Sequence, residues 1–148
     1  MKYSLLFFSF LSLVDFSGCK TDDEFDRPSL IDLYGKFSIV EPLSASVYDV
    51  DFGTGQTTFF QASFSKNIAW KLNITGLESG AKKEITGFSN VLDATNATWN
   101  GTITKLPLFR IEDCAVELTF DTETDTLRDT LHVASARINE GFLLSDFE

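Results

Sequence analysis

Thiol and imidazole groups are scarce in this chain: Cys19, Cys114 and His132 are the whole stock. That leaves little material for a zinc cluster or for nucleophilic catalysis by a cysteine with a histidine base. Positive charge is also short, with 12 Lys and Arg against 22 Asp and Glu and a formal charge of −10. Nucleic acid is excluded as a partner on that balance, because phosphate binding needs clustered cations that release counterions. No apolar run approaches the roughly 20 residues that span a bilayer as a helix, and no capped stripe of 3.6-residue period is present. What the chain does have is aromatic mass. Fifteen Phe and two Trp within 148 residues are more than a disordered acidic chain carries, and they suffice for one domain with a buried core.

The N-terminus is the sharpest local signal. Lys2 is followed by an apolar stretch from Leu5 to Val14 and then by Ser17-Gly18-Cys19. Basic, apolar, small is the order of a secretory signal, here assigned to residues 1–18. Ser17-Gly18-Cys19 resembles the lipobox of bacterial lipoproteins, with Phe16 in place of the usual aliphatic residue. Lys20-Thr21-Asp22-Asp23-Glu24-Phe25-Asp26 resembles the acidic tract that follows the lipidated cysteine in surface-exported Bacteroidota lipoproteins. The resemblance implies acylation of Cys19 and an outer-membrane, cell-surface location, with the membrane as partner through the lipid. Two or three acyl chains, at about 0.8 kcal/mol per buried methylene, hold a protein on a membrane where one chain would release it. The plainer alternative is an ordinary signal peptide beside a chance cysteine. Residues 19–30 then read as an acidic tether extended by its own repulsion.

From residue 31 to 136 the pattern has a period of two. Trp70-Lys71-Leu72-Asn73-Ile74-Thr75 and Cys114-Ala115-Val116-Glu117-Leu118-Thr119-Phe120 alternate cleanly, as do Phe60, Ala62, Phe64 and the pair Leu131, Val133 around His132. Weaker strand candidates are 36–41, 83–88 and 102–111. Reversals are expected at Gly53-Thr54-Gly55, Gly76 to Gly80, Ser89-Asn90, Asn100-Gly101 and Asp121 to Asp125. About seven short strands with turns between them predict an all-β fold, an antiparallel immunoglobulin-like β-sandwich.

Trp70 to Phe120 resembles the immunoglobulin-like domain of flagellar hook-cap and other bacterial cell-surface proteins. The shared features are the Trp70-led strand, the Gly80-Ala81-Lys82-Lys83 hairpin, the Trp99-Asn100-Gly101 turn and the strand from Cys114 to Thr119. Cys114 stands where an aromatic is common. The resemblance implies a structural or spacer module with no catalytic residues and no cofactor. Residues 137–148 read as a linker or the start of a further module, since Ser145-Asp146-Phe147-Glu148 looks like the opening strand of a jelly-roll or galactose-binding-like domain.

Candidate chemistry is thin. Asp49 and Asp51 have the spacing of a calcium loop's first ligands but lack the rest of the set, so a solvated turn is the competing reading, as it is for Asp121, Glu123 and Asp125. Cys114 should pack as a small hydrophobe while His132 alternates outward, which separates the two. A disulfide from Cys114 to Cys19 is compatible only with an unlipidated Cys19. Asn73, Asn96 and Asn100 begin N-glycosylation patterns, and Asp125-Thr126-Leu127 and Asp129-Thr130-Leu131 resemble short Bacteroidota O-glycosylation sequons. Trp70 is expected in the core. Trp99 with Asn100, at a turn, is the best-placed pair for stacking on a sugar, against the alternative of core packing. The expectation is therefore a non-catalytic, lipid-anchored surface spacer or interaction module. A glycan-binding module for polysaccharide capture is the alternative, and a hydrolase fragment is disfavoured for want of a triad or metal cluster.

Overall fold

The computed structural model describes residues 35–138. Cys19, the signal segment, the tether and everything after Ile138 lie outside the described residues. Within them are seven strands: β1 (Ile39–Ala45), β2 (Asp49–Asp51), β3 (Thr58–Gly76), β4 (Lys82–Leu92), β5 (Thr98–Trp99), β6 (Glu112–Phe120) and β7 (Thr126–Ser135). A short 3-10 turn at Phe52–Thr54 is the one helical element described. The fold is all-β.

β3 organises the rest. Its even-numbered side chains from Thr58 to Gly76 are buried apart from half-buried Lys66, so period-two alternation runs unbroken through 19 residues. The two runs Phe60–Phe64 and Trp70–Thr75, expected as separate strands, are one. β1 pairs with its first half (Ala45 with Phe60, Ile39 with Phe64) and β6 with its second half (Trp70 with Phe120, Gly76 with Cys114). β4 and β5 occupy the opposite edge of β3. Between the pairings Ser63–Val91 and Ile68–Ser89, β3 advances five residues while β4 advances two. Extra residues on one strand bend it and sharpen its twist, which lets the inner face of β3 close over itself.

The sheet path is β1-β3-β6-β7-β2, and β2 runs parallel to β7 while the other pairings are antiparallel. The result is one mixed sheet curled into a half-barrel. The expected class and strand number are present. The expected all-antiparallel arrangement is not, because β2 returns alongside the last strand in the same direction. Two weaker expectations also change. Residues 102–111 make only an isolated bridge from Lys105 to Lys82, and Pro107 has no amide hydrogen to give a ladder. Ser89 and Asn90 lie inside β4 rather than at a reversal: Ser89 Oγ accepts the Trp70 indole N–H at 3.0 Å and donates to the Val91 carbonyl at 2.6 Å.

The hollow of the half-barrel is the core. Phe64 and Phe37 each pack on Phe120 with ring centroids 4.9 Å apart, and Trp70, Leu72, Ile74, Val116, Leu118 and Val133 fill the floor. Each such side chain contributes about 1.5–3 kcal/mol on leaving water. Turns fall where left-handed glycines permit them, at Gly55, Gly80 and Gly101, with φ of +84°, +72° and +79°.

Candidate functional site

The structure corrects the sugar-stacking expectation for Trp99. Its side chain points inward from β5 and is fully buried, with Phe52 and Phe109 against it edge-on at 4.7 and 4.8 Å and its indole N–H donated to the Thr102 carbonyl at 2.9 Å. No ring face is left for a ligand. Asn100 is exposed, but its side-chain oxygen accepts the Thr102 hydroxyl at 2.9 Å and so serves the turn. Cys114 is a free thiol with no exposed surface. Burial first, and then the charges of Glu112 and Asp113, push its pKa up to about 12, so a thiolate is not formed near neutrality. His132 faces out on β7, where Nδ1 lies 2.8 Å from Asp113 Oδ1. Asp51 caps the 3-10 turn by accepting the Thr54 amide at 3.1 Å. Among the described residues no group of three His, Cys, Asp or Glu side chains could hold a metal ion.

One concave polar surface lies on the outer face of β4, β3, β6 and β7. Register fixes its composition. One cross-strand row reads Glu84, Asn73, Glu117, Arg128, and the next reads Lys82, Thr75, Ala115, Thr130. Small Thr75 and Ala115 leave a trough between taller neighbours. One cavity of about 350 Å³ lies among Asn73, Thr75, Lys82, Lys83, Thr104 and Lys105, and an adjoining one of about 240 Å³ shares Asn73, Thr75 and Glu117 with it.

Two devices hold the lysine side of this trough. Glu112, 2% exposed at the start of β6, receives the amides of Glu78 and Ser79 at 2.8 Å, the Ser79 hydroxyl at 2.5 Å and the Arg110 amide at 3.0 Å. It thereby fixes the turn from which Lys82 and Lys83 emerge. The backbone of Thr104 and Lys105 lies along the outer edge of β4: the Thr104 amide donates to the Lys82 carbonyl at 2.8 Å and the Glu84 amide donates to Thr104 Oγ1 at 2.9 Å.

Charge in the trough is uneven. Glu84 is met by Lys71 at 3.6 Å and Glu117 by Arg128 at 2.7 Å. Among the described residues, Lys82, Lys83 and Lys105 have no carboxylate partner, and the side chains of Asn73 and Thr75 make no hydrogen bond to another protein group. Further along the same face, Phe88 is 72% exposed beside Ala69 and Asp121. In the sequence Lys82 belongs to a hairpin and nothing local ties residue 105 to it; the two meet only through the bridge between them. No protein-family model, curated protein or solved structure matches the chain.

Proposed function

We propose that this protein is a non-catalytic module held at the bacterial cell surface by a lipid on Cys19, where it acts as a spacer or interaction platform. The observation that carries the reading is the order Lys2, apolar stretch, Ser17-Gly18-Cys19, acidic tract. Such a thiol, once diacylated, anchors whatever follows it. The placement of Cys114 in the core and His132 outside supports a non-catalytic role, because a nucleophile and its base must share a hydrogen bond. The curled sheet is read as a variant of the immunoglobulin-like arrangement, with Trp70 buried on a central strand next to the one that carries Cys114. Radiolabelled palmitate supplied to expressing bacteria tests the anchor. Label should enter the wild-type chain and be absent from Cys19→Ala, and the wild type should be cut by protease added outside intact cells. Label that persists in Cys19→Ala, or full protection from the protease, rejects the proposal.

The trough favours a second reading, glycan capture, now located on the outer sheet face rather than at Trp99. Unpartnered hydroxyl and amide groups over a shallow, wetted floor match the hydrogen-bonding surface of a sugar.

A further inference from the structure

From the charge and polarity of the outer trough we infer a binding site for an acidic saccharide, a sugar chain carrying carboxylate or sulfate groups. The inference rests on the glycan-capture reading and is independent of the lipid anchor. Its first support is the local reversal of sign. A chain of net charge −10 places Lys82 and Lys105 at one cavity, while the two carboxylates that line it are occupied by Lys71 and Arg128. Unpaired ammonium groups at such a site attract an anion and set its on-rate.

The second support is the floor. Asn73 and Thr75 are half-buried, project from a central strand and have no protein partner, so an amide and a hydroxyl stand ready beside Lys82 and Lys105. A half-wetted donor and acceptor pair recognises hydroxyl groups, which a bare inorganic anion lacks. Size points the same way. The main cavity, about 350 Å³, corresponds to roughly a dozen waters at their liquid volume, more than a lone sulfate displaces, and the adjoining depression prolongs it across β6 to Thr130. An acidic peptide is the less suitable occupant. Peptides commonly add to a free strand edge, and here the edge of β4 at Lys82 and Glu84 is already covered by Thr104 and Lys105.

The test is isothermal titration of the full-length protein in detergent with four probes: an oligosaccharide of galacturonate, its fully methyl-esterified counterpart, hexaglutamate and inorganic sulfate. The galacturonate chain should bind, and its affinity should fall at least about tenfold in the Lys82→Ala/Lys105→Ala variant and again when salt is raised from 0.05 to 0.5 M. Asn73→Ala should weaken it about threefold without changing the salt dependence. Thermal melts of both variants should match the wild type, since the substituted lysine heads face water. The ester, hexaglutamate and sulfate should each bind at least about tenfold more weakly than galacturonate. Equal binding of the ester overturns the acidic assignment and leaves glycan capture standing. Equal binding of hexaglutamate or sulfate overturns the saccharide assignment, and no binding of any probe overturns both.

Discussion

Glu112 is a carboxylate placed where apolar side chains are the rule, and its neighbours explain why it stays charged. Burial by itself pushes its pKa up, but the Ser79 hydroxyl and the amides of Ser79, Arg110 and Glu78 outweigh that and hold it below the ordinary value of 4.5. A group whose folded-state pKa is depressed contributes stability above its unfolded value and loses that contribution as pH falls through the folded one. Glu112→Gln, which keeps the shape and loses the charge, should therefore cost about 1.5–3 kcal/mol at pH 7. The difference from wild type should shrink below about pH 4.5 and vanish in stronger acid. Urea unfolding at a series of pH values measures this, and a gap that does not change with pH would show that the charge is not what the four donors stabilise. Gly76 belongs to the same arrangement: a Cβ there would lie 2.5 Å from Glu112 Oε1, so the strand end and the carboxylate are fitted to each other.

At the scale of the element, the β3–β4 pair depends on a contact between a large and an absent side chain. Trp70 lies directly across from Gly87, and its indole ring covers the space that a Cβ at 87 would enter. Replacing a strand glycine by alanine ordinarily stabilises by about 0.5–1 kcal/mol through backbone entropy. Here Gly87→Ala should instead destabilise by about 1–3 kcal/mol, because the ring must move against a packed core and give up its bond to Ser89. A denaturant midpoint that rises in Gly87→Ala refutes the contact. The same pair shows what a sequence can disclose. The alternation around Trp70 and around Cys114 is legible because large apolar residues occupy every second position without a gap. The continuity of β3 is not, since Ser65-Lys66-Asn67 interrupts the apolar pattern; the ladder with β4 breaks off at Ser63 and resumes at Ile68, and Ser65 is held by its amide bond to the Ser38 carbonyl. Trp99 leaves both stacking and core packing open in the sequence for a related reason: an Asn-Gly turn locates the backbone at the surface but does not say which way the preceding side chain points. The trough was illegible too, because Asn73, Lys82, Lys105 and Arg128 become neighbours only through strand register.

For the whole molecule, the curled sheet sorts its residues into a dry hollow lined by aromatics and a wet outer face where charge is displayed. The core side is closed by β1 from one direction and by β6 and β7 from the other, so most substitutions that matter for stability face inward. Those that would matter for the proposed recognition lie on Lys82, Lys105 and their neighbours. The parallel pairing of β2 with β7, Asp49 with His132 and Val50 with Val133, joins the second of the described strands to the last of them. Tension applied between the two ends of the folded body loads β1 first, and once β1 yields it pulls β2 and β7 past one another along their length. Hydrogen bonds such as that from the His132 amide to the Tyr48 carbonyl, 2.7 Å, lie across that pull and are loaded together rather than opened one at a time. Stretching single molecules by their termini should show one distinct force peak that Val50→Pro, which deletes a donor from β2, lowers sharply. A peak unaffected by that change would locate the resistance elsewhere. A body that resists extension in this way would suit the anchored position proposed for it.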